Sequence, residues 1–413
     1  MGDGAKEKRE DSAEAFSYWR RNTVVLAIGC FMAQVAFTLI EPFLPPYLIS
    51  LGLRTNQAFW SGVTLSVTSV TYSVMAPVWG ALADRHGKRI MMLRAGLGIA
   101  VAYVLIGLAQ NHWQVLALRS ALGLVSGYIP SAIMLTATNT PEANLGYALG
   151  IVQTAVSAGA IAGPLVGGAI AEWVGLRGTF FISAFLLFAA TVPPLVLVKE
   201  QVFRRERPAG VGSGVREAWA NPRLRQLFIT LFLTQAALQT VQPTLPLWIA
   251  TLVRERVALL TGTVYSLMGI SMALGAVAVG RRVDQWGGER VFRLSFMVAA
   301  LLFVFQGLAG SVLMLAGTRF LTGFVVAALT VSGNLLVAQA VSPESRGMAF
   351  GVLNAVTSIG GVTGPVLGGA MGDRLGLASP FFGSAGLLAV AAVWLWADRA
   401  GTAKVRERTA AVG

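Results

Sequence analysis

Apolar runs of about 20 residues, long enough to cross roughly 30 Å of hydrocarbon as helices, follow one another along almost the whole of this chain. A backbone in lipid has to satisfy its own polar groups. The runs therefore read as transmembrane α-helices, and their length excludes the short alternating strands of an outer-membrane barrel. Composition agrees: 55% of the 413 residues are hydrophobic and only 12% are charged, a balance no soluble domain of this size carries on a hydrated surface. The expected fold class is an all-α integral membrane protein with twelve transmembrane helices, at 23–49, 60–81, 90–110, 113–138, 144–171, 178–198, 225–250, 259–280, 291–309, 312–340, 346–371 and 378–397.

The net charge of +13 raises the question of nucleic acid, and the positions of the cations answer it. Clusters such as Arg85, Lys88 and Arg89, or Arg281, Arg282 and Arg290, fall on alternate loops, on both tails and on the middle segment, whereas the intervening loops carry only Arg54, Arg177, Arg254, Arg256 and Arg374. This is the asymmetry of the positive-inside rule. It makes both termini cytoplasmic in an inner (plasma) membrane and needs no nucleic-acid partner. The expected organisation is a cytoplasmic tail (1–22), a six-helix bundle (23–198), a cytoplasmic linker containing the flexible run GVGSG (199–224), a second six-helix bundle (225–397) and a cytoplasmic tail (398–413). No small-residue cleavage site follows the first apolar run, so that helix is expected to stay. The lone Cys30 and the two histidines, His86 and His112, make no metal-ligand set, and no nucleophile, base and orienting group occur together at recognisable spacing. Neither a metal, nor a cofactor, nor enzymatic chemistry is expected. A monomer in contact with membrane lipids and small-molecule substrates is.

The second half repeats the first at an offset of about 200 residues. Glu41-Pro42-x-x-Pro45 meets Gln242-Pro243-x-x-Pro246, and Gly80, Asp84 and Gly87 meet Gly280, Asp284 and Gly287. Arg119 and Gly123 meet Arg319 and Gly323, and Gly163-Pro164-x-x-Gly167-Gly168 meets Gly364-Pro365-x-x-Gly368-Gly369. Six helices per half give both halves the same orientation, a parallel repeat in which a site is expected near the membrane midplane.

These residues make the chain resemble the major facilitator superfamily over its whole length. GALADRHGKR fits that family's loop pattern at Gly80, Leu82, Asp84, Arg85, Gly87, Lys88 and Arg89, and Gly159-x-x-x-Gly163-Pro164-x-x-Gly167-Gly168 matches the fifth-helix pattern of its drug:proton antiporters. Arg119 with Gly123 resembles the fourth-helix motif, although Leu122 stands where glutamine is usual, and FTLIEPFLPPYL with the order of motifs looks most like the MdtG-type branch of multidrug exporters. The resemblance implies the major facilitator fold, two pseudo-symmetric six-helix bundles, and export of lipophilic, cationic compounds against proton entry. It also implies that Asp84 latches onto the cytoplasmic start of helix 11, with Asp284 as its echo, and that Arg119 takes part in proton coupling.

The residues bear on these expectations directly. Gly80 would let helix 2 approach a neighbour closely, Gly87 would permit a tight turn, and Asp84 is a carboxylate available to a helix N-terminus; Arg85, Lys88 and Arg89 can be read as topology-setting charges. The small faces Gly159, Gly163, Gly167 and Gly168, and Gly364, Gly368 and Gly369, permit close helix contact around the bending prolines Pro164 and Pro365. Among the nineteen acids, Glu41 alone lies well inside an apolar run, where a charge costs on the order of 2.5–3.5 kcal/mol. Either a proton or a cationic substrate can hold such a carboxylate, so the two can compete for one group. The opposing reading places Glu41 near the outer water, ahead of Pro42 and Pro45. Arg319 is expected to be structural. Gln34, Thr38, Tyr128, Gln153, Gln239, Gln242, Asn334 and Asn354 are the polar groups that could line a greasy cavity or, one by one, simply bond a neighbouring helix. The alternatives in view are a metabolite or sugar exporter of the same fold, and a membrane sensor or scaffold that moves no solute.

Overall fold

The computed structural model describes residues 18–200, 219–342 and 345–410, with backbone alone for Asp284 and 397–410. The described chain is helical, and no strand occurs in it. Its twelve long helices are α1 (Trp19–Ser50), α2 (Gln57–His86), α3 (Lys88–Gly107), α4 (His112–Thr138), α5 (145–174), α6 (176–197), α7 (222–252), α8 (Val257–Gly280), α9 (Gly288–Gly307), α10 (Val312–Gln339), α11 (Arg346–Leu375) and α12 (Ser379–Ala410). The expected linker, 199–224, falls largely on residues outside those described, and α7 begins within its last residues at Pro222, where Asn221 accepts hydrogen bonds from the amides of Arg223 and Leu224.

Several boundaries differ from expectation for local reasons. α5 and α6 run on without a loop, since Gly175 (φ 74°, ψ 168°) alone reverses the chain between them. α1 is interrupted by a 3₁₀ turn, Glu41–Phe43, where Pro42 removes a backbone donor, and α7 is interrupted at the matching place, between Thr240 and Leu245. α2 continues to His86 rather than ending at 81, so Gly80, Asp84 and Arg85 are helical and the turn itself is the single residue Gly87 (φ 94°).

The repeat is carried by the backbone as well as by the sequence. Positive φ recurs at Asn56 and Arg256, at Gly87 and Gly287, and at Gly175 and Gly376. Asn111 caps α4 by accepting from Gln114 N, and Ser311 caps α10 by accepting from Met314 N.

The chain divides into two compact units, Met1–Leu53 with Val67–Arg207, and Arg54–Ser66 with Pro208–Gly413. The first unit is centred on the buried side chains of Tyr47, Tyr103, Tyr128 and Phe180, with Tyr47 and Phe180 at 4.7 Å between ring centroids. The second is centred on Phe228, Phe292, Phe296, Phe303 and Phe381. Both leave large apolar side chains bare, Val101, Phe185 and Val196 in the first and Leu301, Leu308, Val390 and Val393 in the second. So much exposed hydrocarbon suits lipid as solvent.

Lipid supplies no hydrophobic drive between helices, so close backbone approach has to do that work. In the first unit the glycine face of α5 lies on α1. A methyl at Gly159 would come 2.7 Å from Phe31 O, one at Gly163 would strike Thr38 Oγ1, and one at Gly167 would strike Leu39 O. In the second unit the same face of α11 lies on α7: Gly360 against Phe232 O, Gly364 at 2.6 Å from Ala236 O, and Gly368 against Thr240 O. Gly159, Gly163, Gly167, Gly364 and Gly368 thus have identified partners, each within one unit.

Candidate functional site

Within the first unit, the two ionisable groups singled out from the sequence stand on α1 and α4. Glu41 sits in the 3₁₀ turn of α1, partly buried, nine residues short of the helix end at Ser50. Those nine residues add about 14 Å at about 1.5 Å per residue. Arg119 is the cation whose charge bears on Glu41, and both bear on the buried Tyr103 of α3. Arg119 is 5% exposed and its Nε has no hydrogen-bond partner. Its position is set by close packing: Thr68 Oγ1 donates to Arg119 O at 3.0 Å, and Gly123, one turn on, lies against Thr68 O and Thr71 Oγ1 of α2. One turn and two turns before Glu41, on the same helix, stand Thr38 and Gln34, both partly buried; Thr38 Oγ1 donates to Gln34 O at 2.8 Å and to Gly159 O at 3.3 Å.

The second unit builds the equivalent point from different groups. Gln242 stands in the break of α7, its Nε2 donating to Gln239 Oε1 at 3.0 Å and its carbonyl accepting from Tyr265 Oη at 3.2 Å. Arg319 of α10 is 5% exposed and donates from Nη1 to Met268 Sδ at 3.2 Å, again with an unpartnered Nε. No carboxylate lies with it among the described side chains of that unit's helix interiors.

The other polar candidates separate. Tyr128 is 1% exposed, and its hydroxyl donates to Ala190 O at 2.7 Å, so it ties α4 to α6 rather than facing an open cavity. Gln153, Asn334 and Asn354 are exposed on α5, α10 and α11.

The loop motif is built differently from expectation. A methyl at Gly80 would meet no described atom within 4 Å, so the close approach assigned to that glycine is absent; Asp84 and Arg85 are exposed, and the side chain of Asp284 lies outside the described residues. The carboxylate bound to the loop is Glu200, which sequence reasoning missed. It accepts from Lys88 N at 2.6 Å and Arg89 N at 2.9 Å, filling the free amides at the start of α3. Arg89 closes the exchange by donating to Pro194 O and Leu195 O at the end of α6. Lys199 O accepts from Asn22 Nδ2 and Asn139 Nδ2, both at 2.9 Å, so the root of the linker is tied to α1 and α4 as well. Arg89 is therefore a structural donor.

Comparison with known proteins accords with this geometry. The family model described as Major Facilitator Superfamily matches residues 26–305 and 257–412. The chain is 35% identical over 386 residues to the multidrug resistance protein MdtG of Salmonella typhimurium, covering 92% of this chain and 95% of that one. It is 35% identical over 384 residues to the protein of the same name from Dickeya zeae, covering 92% and 94%. Among solved structures, the nucleoside transporter NupG is similar with a TM-score of 0.79 at 15% identity, covering 91% of this chain and 98% of that one. A bacterial homologue of the human lysosomal transporter Spinster is similar with a TM-score of 0.72 at 16% identity, covering 92% and 95%. At these identities the two structures bear on the fold alone.

Proposed function

Because this chain belongs to the major facilitator superfamily, we propose that it exports lipophilic, cationic compounds in exchange for protons, with Glu41 as the group that proton and substrate share. The chain is a membrane transporter of small molecules, multi-pass in the inner membrane, and not an enzyme. The finer reading is carried by one observation: a single carboxylate stands at a helix break in α1, inside an apolar run. Broken helices expose unpaired backbone groups beside a substrate path, and a carboxylate at such a break can give up its proton to an arriving cation. Gln34 and Thr38, on the same helix before it, would contribute a polar edge to an otherwise apolar surface. The relatives named for multidrug resistance support broad, greasy cargo rather than one fixed solute.

Alternating access completes the proposal. Glu200 and Arg89 hold the start of α3 to the end of α6 as one rigid corner, and the exposed Asp84 on the last turn of α2 is left free to act as a latch on the cytoplasmic side. With both termini cytoplasmic, the proton gradient drives the exchange and no other cofactor takes part. The test is drug susceptibility of cells expressing the protein with and without an uncoupler. Resistance that disappears when the gradient is collapsed is the expected result. Resistance indifferent to the uncoupler, or none at all, removes the proposal.

A further inference from the structure

α2 is a single helix, Gln57–His86, but its first residues belong to the second unit and the rest, from Val67, to the first. What holds those first residues is α11. Asp373, near the end of α11, accepts from Ala58 N through Oδ1 at 3.1 Å and from Phe59 N through Oδ2 at 2.8 Å. The chain reaches these amides through Asn56, whose positive φ (48°) starts the helix. Further along the pair, a methyl at Gly369 would strike Ala58 O, one at Gly62 would strike Pro365 O, and Ser66 Oγ donates to Val362 O at 2.6 Å. From Val362 to Asp373, about 16 Å of helix, the two backbones meet with nothing larger than a serine between them at these points.

Such a seam rests on short-range packing, which is lost steeply on separation, so the contact is made or broken as a whole. Its outermost group is different in kind. Asp373 is exposed, and its carboxylate meets the free amides and positive dipole of a helix start, an interaction that water can replace at small cost. We propose that Asp373 is a positioning residue for transport: a releasable cap that keeps the start of α2 seated on α11, and whose release lets that seam part to admit or discharge substrate on the face away from the termini. This rests on the transport reading above. The repeat places Glu172 of α5 at the position equivalent to Asp373, and Ala258 and Leu259 at those of Ala58 and Phe59, so the same residue chemistry is available twice in the chain. Nothing local in the sequence marks the pairing, since Asp373 reads there as one more acid at a helix end.

The test is a thiol reporter in the seam. Cys30 is fully buried, so the otherwise unchanged protein supplies the background. In a Ser66→Cys protein, and separately in Val362→Cys, the rate of labelling by a membrane-impermeant maleimide is measured from the outer face, without any transported substrate. Adding Asp373→Asn or Asp373→Ala is expected to raise that rate about 2- to 30-fold, the range that corresponds to loss of a helix cap, and Asp373→Glu to restore most of the protection. In export assays Asp373→Ala is expected to change kcat with KM kept. Unchanged labelling with both reporters and both variants, at equal amounts of inserted protein, overturns the proposal. Because labelling needs no cargo, a protein that exports nothing while its labelling responds to Asp373 would sink the transport reading and leave the cap standing.

Discussion

The two units share a backbone and differ in chemistry at the same point. In the first, α1 breaks at Glu41 and the charge of a buried arginine, Arg119, acts on it; in the second, α7 breaks at Gln242 and the matching arginine, Arg319, rests on the thioether of Met268. The left-handed residues, the helix caps and the glycine faces recur in both. Helix packing in lipid tolerates little change, so the scaffold is repeated closely. A membrane-embedded charge costs on the order of 2.5–3.5 kcal/mol, and among the described helix interiors the acid is present once, at Glu41.

The most severe way to break this comparison is to give the first unit the chemistry of the second. Glu41→Gln is expected to reduce pH-gradient-driven export in everted vesicles to background while equilibrium drug binding remains measurable. Export that persists with its pH dependence would place coupling elsewhere. The arginines come next. Arg119→Met removes a buried cation and is expected to abolish export. Arg319→Met removes a cation that has no carboxylate beside it and is expected to stay within about 1 kcal/mol with export kept. Thermal unfolding in detergent, read beside export, separates the two; equal losses would erase the distinction between the units.

A smaller effect sharpens what they share. Gly163→Leu drives a side chain into Thr38 and Val35, and Gly364→Leu into Ala236 and Gln239, so each is expected to destabilise by about 1–3 kcal/mol and by similar amounts. A much milder effect in one unit would mean that its helices are less closely seated. The smallest change is Asp84→Asn, which removes an exposed charge from the last turn of α2; insertion is expected to be normal and transport lowered. Transport at the wild-type rate would remove the latch assigned to Asp84.

Much of the fold was legible because the signals that build it are periodic or punctuating. Apolar run length marks the helices and the offset of about 200 residues marks the repeat, whereas the break in α1 at Glu41–Phe43 was not anticipated although Pro42 stands in it. Pairings distant in sequence left no such mark. Glu200 meets Lys88 and Arg89 across more than a hundred positions, and Asp373 meets Ala58 and Phe59 across more than three hundred. Each is a carboxylate on backbone amides, and backbone amides leave no trace in residue identity. The polar candidates show the same limit: on an apolar helix Tyr128 looks as available as Gln34, yet its hydroxyl is committed to Ala190 O. Gly80 likewise suggested a close approach that the helix around it does not make, because a glycine permits contact without requiring it.

The central claim is that proton and cationic substrate compete for Glu41, and proton release on binding tests it most directly. Purified protein in weakly buffered detergent solution is mixed with a saturating lipophilic cation while the pH is followed. The account predicts release of about one proton per transporter from the wild type and none from Glu41→Gln at equal ligand occupancy. Binding without proton release in the wild type, or equal release from both proteins, would contradict it.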